Sequence, residues 1–138
     1  MNTSNVTVVA IDPGRTKCGI AVVRKSDGTF EVLHREVVAT AKLGLTVANL
    51  ASRFSPDAVV LGGGTSSSEA SHVVENLQIA PVVIVEEKFS TLAARKRYFA
   101  ENPPRGLRRL IPLSLQVPPH PYDDYVAVML AEKYLQGL

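Results

Sequence analysis

Runs of β-branched apolar residues alternate with segments of helical periodicity along most of this chain, and this alternation constrains the fold more than any other feature. The run VTVVAID at 6–12 is typical of a strand buried on both faces. Two similar runs follow, DAVVLGGG at 57–64 and PVVIVEE at 81–87. In the intervening segments, apolar residues recur at the spacing of a helix turn. The predicted helices cover 43–54, 70–77, 90–101 and 122–135.

Residues 20–39 predict two further strands, joined by a tight turn at Ser26-Asp27-Gly28. The short connections make the first three strands antiparallel, and the later strand–helix–strand alternation implies parallel pairing with right-handed crossovers. We therefore predict one α/β domain over residues 1–138. Its five-stranded mixed sheet has three antiparallel strands, then two parallel strands, and is flanked by helices.

Composition excludes several other classes of protein. A hydrophobic share of 46% with 20% charged residues is that of a globular domain and argues against disorder. No run approaches the roughly 20 apolar residues of a membrane span, and the N-terminus lacks the basic region and cleavage site of a signal peptide. Cys18 has no partner for an internal disulfide. These features favour a cytoplasmic protein with no membrane partner.

Acidic residues lie where three predicted elements begin or end. Asp12 ends the first strand, Glu86 and Glu87 end the last, and Asp123 and Asp124 open the final helix. Ligands of α/β sheets bind beyond the carboxyl ends of the strands, so we expect these acids to share one edge. Each acid also has a simpler interpretation, as a partner of turn amides, a solvated strand end or a helix cap.

Helical geometry separates the two aspartates of the final helix. Asp123 falls inside its apolar face, whereas Asp124 falls on the edge toward solvent. A carboxylate in an apolar stripe is costly unless a positive group meets it, and a metal ion shared with Asp12 and Glu87 would be such a group. Hard oxygen ligands favour Mg²⁺ or Mn²⁺, which suit phosphodiester hydrolysis. The residues assigned to the apolar face are Tyr122, Val126, Met129, Leu130 and Tyr134.

Three segments carry a family resemblance. AIDPGRTKCGIAVV resembles the opening D-x-G-x-x-x-x-G motif of the RuvX/YqgF family. EEKFSTLAARKRYFAEN is similar to the D-E-R-x-[ST]-T-x-x-A segment of that family, and DDYVAVMLAEKYLQG is similar to its closing D-S-x-x-A segment. The resemblance implies an RNase H-like fold and a nuclease that is Holliday junction resolvase-like or processes pre-16S rRNA.

The same resemblance implies roles for individual residues. Asp12, Glu87 and Asp123 match the metal-binding catalytic acids. His120 and Asp124 are candidate accessory residues, although a loop histidine is the simpler interpretation of His120. The stretch LGGGTSSSEA departs from the pattern of the family, and so does the long proline-rich loop at 102–121.

Basic residues flank the candidate acids in sequence. Contacts between such basic side chains and the phosphates of nucleic acid supply most of the non-specific binding affinity. Many runs of charge are, however, simply solvated helix faces. The turn Gly62–Gly64 could cradle a phosphate on backbone amides, or could be a strand-to-helix turn capped by serine. The candidate nucleic-acid-binding residues are Arg15, Lys17, Arg95, Lys96, Arg105, Arg108 and Arg109.

Two classes of function follow from these patterns. The first is a metal-dependent endonuclease acting on branched DNA or precursor rRNA, with a homodimer expected where two symmetric cuts are needed. The second is a nucleic-acid-binding module of the same fold without cleavage, against which the three acids argue. A nucleotide-binding protein is disfavoured, because the LGGGTS turn lacks the Gly-Lys-Ser/Thr of a Walker motif.

Overall fold

A mixed sheet with helices on both faces forms the body of the protein. The computed structural model describes residues 5–64, 67–85, 91–103 and 123–137. Within these ranges a 3-10 turn at Thr40–Lys42 joins the third strand to the first helix. The strands are β1 Val6–Asp12, β2 Lys17–Ser26, β3 Thr29–Ala39, β4 Ala58–Gly62 and β5 Val82–Val85, and the α-helices are α1 Leu43–Phe54, α2 Ser67–Asn76, α3 Thr91–Glu101 and α4 Asp123–Gln136.

The sheet has the order β3-β2-β1-β4-β5 among the described residues. β1 pairs antiparallel with β2 and β2 with β3, whereas β4 is parallel to both β1 and β5. Asp27 and Gly28 have positive φ angles of 50° and 83°, as a two-residue hairpin turn between β2 and β3 requires. The predicted five-stranded arrangement and the hairpin are therefore confirmed.

Side chains alternate across the sheet and build two separate cores. The face that α4 covers is called here the α4 face, and the opposite face, covered by α1 and α2, is called the α1–α2 face. Buried strand residues of the α4 face are Val8, Ala10, Ala21, Val23, Ala58 and Val60, and those of the α1–α2 face are Val9, Ile11, Cys18, Ile20, Val22, Val59 and Leu61.

No described helix has both the length and the apolar character needed to span a bilayer.

The pairing of β2 with β3 contains a β-bulge. Val22 lies opposite His34 and Val23 lies opposite Val32, so Leu33 is an extra residue on β3. An extra residue shifts the alternation of side chains by one position.

The shift decides where the second half of β3 points. Leu33 packs on the α1–α2 face, and the ring of His34 lies 6.5 Å from Phe54 of α1, on the same face. Arg35 consequently points to the α4 face, where it contacts Asp124. Regular alternation without the bulge would have placed Arg35 on the opposite side.

The apolar face predicted for α4 is rotated relative to the observed one. Val126, Met129 and Tyr134 are only half-buried, and Asp124 points along the buried stripe instead of toward solvent. The prediction was wrong because α4 is apolar over most of its circumference: it packs on the sheet and also on α3. Its buried residues are Tyr125, Ala127, Val128, Leu130, Ala131 and Leu135.

Candidate active site

Gly19 of β2 brings the first turn of α4 onto the sheet. A Cβ atom at Gly19 would lie 2.0 Å from the carbonyl oxygen of Asp123 and 2.7 Å from the amide nitrogen of Asp124. Only a residue without a side chain permits this approach. Gly19 lies within β2 and is the point at which the first turn of α4 packs against the sheet.

Asp12 lies directly beside Gly19 in the sheet. It is the register partner of Gly19 in the antiparallel pair of β1 and β2, where paired Cα atoms are about 5 Å apart. Val8 and Ala10 pack in the core of the α4 face, so strand alternation places Asp12 on that face as well. Asp12 and the N-terminus of α4 therefore share one corner of the domain.

The side chains of Asp123 and Asp124, both in the first turn of α4, point in different directions. Asp123 shares its side of the helix with Ala127 and Leu130, which pack on the α4 face. Asp123 therefore begins on the sheet-facing side of α4, and its role as a metal ligand stays a prediction. Asp124 points toward β3, where its Oδ2 lies 3.3 Å from the Nε of Arg35.

The carboxyl group of Asp124 is an internal ion-pair partner. Its side chain is only 14% exposed. Burial raises the pKa of Asp124 above its ordinary value, and the positive charge of Arg35 acts in the opposite direction. Its Oδ1 also accepts a hydrogen bond of 3.1 Å from the amide of Tyr125. Asp124 thus holds the first turn of α4 and does not face solvent.

The donor atoms at this corner fit a hard divalent cation. Asp12 and Asp123 supply carboxylate oxygens from two elements that Gly19 holds in contact, and such oxygens are the usual ligands of Mg²⁺ and Mn²⁺. Among the described residues, no group of three or more potential metal ligands is assembled. Glu87, the third predicted ligand, lies outside those residues.

Two basic residues follow Asp12 closely in the sequence, Arg15 in the loop between β1 and β2 and Lys17 at the start of β2. Arg15 and Lys17 are both exposed. The hydroxyl of Thr40 donates a hydrogen bond of 2.8 Å to the carbonyl oxygen of Gly14, and the Thr40 amide donates one of 2.9 Å to the carbonyl of Thr16. Thr40 therefore anchors the segment that presents the two cations.

Of the two basic residues predicted on α3, the structure describes the side chain of Lys96, which is exposed. Arg97, the next residue, forms a bidentate pair with Glu132 of α4, at 2.7 and 3.1 Å, and so joins the two helices. Tyr98 and Phe99 are buried against Tyr125. The side chain of Arg95 lies outside the described part of the structure, as do the predicted residues Arg105, Arg108, Arg109 and His120.

The described part of the Gly62–Gly64 turn is already hydrogen-bonded. The Gly63 amide donates to the carbonyl oxygen of Val85 at 3.0 Å, which extends the pairing of β4 with β5. The hydroxyl of Ser67 donates to the carbonyl of Gly64 at 2.8 Å. These contacts are those of a strand-to-helix turn, and the phosphate cradle stays a prediction.

Known proteins resemble this chain over nearly its whole length. A protein of Bacillus pumilus (strain SAFR-032) that is assigned as a pre-16S rRNA nuclease is 25% identical over 145 residues, covering 95% of this chain and 98% of the relative. RuvC of T. thermophilus, solved in complex with a Holliday junction substrate, matches with a TM-score of 0.59 at 22% identity and covers 96% of each chain. The fold is RNase H-like. No protein-family model matches the chain.

A second solved structure supports the same fold. The resolvase of Fowlpox virus, in complex with Holliday junction DNA, matches with a TM-score of 0.67 at 13% identity, covering 96% of this chain and 98% of the resolvase. The resemblance that the three motifs indicated is therefore confirmed by the B. pumilus relative, and the RNase H-like fold that it implies is confirmed by the two structures.

Sequence reasoning missed three residues that shape this corner. A glycine inside an apolar strand indicates a close backbone approach, and that signal was present at Gly19. Thr40 and Arg35 have no comparable signal, because their roles depend on the 3-10 turn and on the bulge in β3.

Proposed function

We propose that this protein is a divalent-metal-dependent endonuclease that hydrolyses phosphodiester bonds in structured nucleic acid. The observation that carries the proposal is the position of Asp12 beside Gly19 in the sheet and of the Asp123 backbone packed on Gly19, at one corner of the α4 face. The similarity to a relative assigned as a pre-16S rRNA nuclease supports the same reaction.

In this proposal Asp12, Asp123 and Glu87 hold Mg²⁺ or Mn²⁺. Val85, the last residue of β5, packs on the α4 face and precedes Glu87 by two residues in the sequence. A bound ion of this kind activates water and neutralises charge on the phosphate. The fold positions both carboxylates: Asp12 is held by strand pairing in the sheet, and Asp123 is held by the packing of the α4 backbone against Gly19.

The basic segment after Asp12 supplies the contacts to the substrate backbone. Arg15, in the loop directly after Asp12, and Lys17, at the start of β2, are both exposed, and Thr40 restrains this segment. Cations at this position would bind phosphates near the scissile bond, with affinity that comes from counterion release. Lys96 and the basic residues of the 102–121 loop would extend the contact.

Two substrates fit this chemistry, precursor rRNA and four-way DNA junctions. The B. pumilus relative carries the name of a pre-16S rRNA nuclease, and two solved structures of similar fold are bound to Holliday junctions. Symmetric cutting of a junction needs two active sites, so a homodimer is part of the junction alternative. The rRNA alternative and the junction alternative both imply a protein that acts in the cytoplasm.

The test is an assay of the purified protein against a labelled four-way junction and a labelled rRNA precursor, with Mn²⁺, Mg²⁺ or EDTA. We expect metal-dependent cutting of at least one substrate, abolished in Asp12→Asn because one ligand of the ion is neutralised. Asp27→Asn is the matched control, since Asp27 is exposed in the hairpin turn far from the corner. Circular dichroism checks that both variants are folded.

Each outcome separates the hypotheses. Cutting that survives in Asp12→Asn would exclude the proposed site. Binding of both substrates without cutting under any metal condition would favour the non-catalytic binding module. The substrate that is cut distinguishes rRNA processing from junction resolution.

A further inference from the structure

We propose that Arg35 is a positioning residue of the active site, which holds the first turn of α4 so that Asp123 is presented to the metal ion. This inference rests on the proposed function. Arg35 lies on β3, two strands away from Asp12 in the sheet, and belongs to none of the motifs that carry the family resemblance.

Arg35 contacts the first turn of α4 at two consecutive residues. Its Nε lies 3.3 Å from Oδ2 of Asp124. Its guanidinium carbon stacks over the ring of Tyr125, 4.1 Å from the ring centroid. A weaker pair of 3.5 Å joins its Nη1 to Glu101 of α3. A planar guanidinium can make a lateral ion pair and a ring stack at once, which a lysine ammonium cannot.

Together with Gly19, these contacts restrain the backbone of α4 at Asp123 and at the two residues that follow it. The backbone of Asp123 rests on Gly19 of β2, and the next two residues are held by Arg35 of β3. The positive charge also offsets repulsion between Asp124 and Asp123, whose carboxylates are adjacent in the chain. With the backbone held at both points, the Asp123 side chain keeps few orientations, as a metal ligand requires.

The β-bulge is what delivers Arg35 to this position. Leu33 is inserted opposite β2, so the alternation of β3 changes phase and Arg35 turns to the α4 face. Bulges beside active sites commonly redirect a side chain in this way.

The experiment measures the Kd for Mn²⁺ by isothermal titration calorimetry, together with cleavage of whichever substrate the protein cuts. We expect Arg35→Gln to weaken Mn²⁺ binding roughly tenfold or more, the usual effect of losing a residue that supports a metal ligand. The kcat should fall with it, while KM for nucleic acid changes little. Arg35 borders an open cavity of about 370 Å³, so glutamine fits without overpacking.

Lys25→Gln is the matched control. Lys25 Nζ donates a hydrogen bond of 3.1 Å to the carbonyl oxygen of Leu135, and so anchors the opposite end of the same helix to the sheet. That end is 12 residues from Asp123, or about 18 Å along a helix. Both variants lose one polar anchor of α4, but only Arg35→Gln should change the Kd for Mn²⁺.

A double-mutant cycle tests whether Arg35 acts through Asp124. If it does, Arg35→Gln combined with Asp124→Asn should weaken Mn²⁺ binding by much less than the product of the two single effects. Arg35→Lys should recover part of the affinity, because the charge is kept and the ring stack is weakened.

Two results would overturn the inference. One is an Arg35→Gln protein that binds Mn²⁺ as tightly as the wild type. The other is equal weakening in Arg35→Gln and Lys25→Gln, which would reduce Arg35 to a general anchor of the helix. A wild-type protein that neither binds Mn²⁺ nor cuts would instead refute the proposed function, and the inference with it.

Discussion

Gly19 sets the distance between the central sheet and the last helix at the point where the candidate ligands meet. The space of its missing side chain is filled by the backbone of Asp123 and Asp124. A peptide backbone cannot yield as a flexible side chain can, so any substitution at Gly19 must displace the helix. The residue thereby links stability to the geometry of the site.

We predict that Gly19→Ala lowers the free energy of unfolding by about 3 kcal/mol, because the added methyl group overpacks a closely fitted interface. Under the proposed function, Mn²⁺ affinity should fall as well, since Asp123 moves with the helix. Urea denaturation and calorimetry measure the two effects. Gly137→Ala is the control, because its new Cβ would meet Tyr134 at an ordinary 3.5 Å. Unchanged stability in Gly19→Ala would contradict the close approach.

At the scale of elements, α4 belongs to two interfaces. One side packs on β1 and β2, and the other packs on α3 through Tyr125, which meets Tyr98 edge to face at 5.5 Å. The Arg97–Glu132 pair joins the same two helices further along, and it raises the pKa of Arg97. Helix α3 therefore supports α4 from the side that does not carry Asp123.

Removal of the Arg97–Glu132 pair should affect stability and leave metal binding intact. We expect Arg97→Gln to lose about 1 kcal/mol, a modest value because both side chains are partly exposed. Thermal unfolding measures this loss, and Lys96→Gln, at an exposed position of the same helix, should show none. A tenfold loss of Mn²⁺ affinity in Arg97→Gln would mean that α3 also positions the site.

For the whole molecule, the distribution of charge matters more than its sum. The net charge is +2, too small to indicate nucleic-acid binding by itself. Arg15 and Lys17 are nevertheless exposed next to Asp12, whereas Arg53 lies at the far end of α1. The proposed interface is thus local and does not follow from overall basicity.

Under the proposed function, binding to a four-way junction should weaken as salt rises, because phosphate contacts release counterions. We expect Lys17→Gln to lower the slope of log K against log salt concentration by about 1. Fluorescence anisotropy in the Asp12→Asn background measures binding without cutting. Arg53→Gln makes the same change of charge away from the corner and should keep the wild-type slope. Equal slopes in all proteins would place the phosphate contacts elsewhere.

Much of this fold could be predicted because it is set by short-range patterns. The β-branched run at 6–12, the hairpin turn at Asp27-Gly28 and the helical spacing of 43–54 each specify a local structure, and the structure confirms them. The motif spacing also identified Asp12 and Asp123, which the fold brings to one corner. The catalytic role of these acids and of Glu87 stays a prediction.

The sequence alone therefore determined the order of the elements, the mixed sheet and the positions of Asp12 and Asp123 at the ends of their elements, since periodicity and turn chemistry depend on neighbouring residues. Tertiary structure decided which way the side chains point. The bulge at Leu33 reverses the side of Arg35, and packing on two surfaces turns Asp124 inward. Both outcomes depend on partners that are distant in the chain, and so no local pattern could predict them.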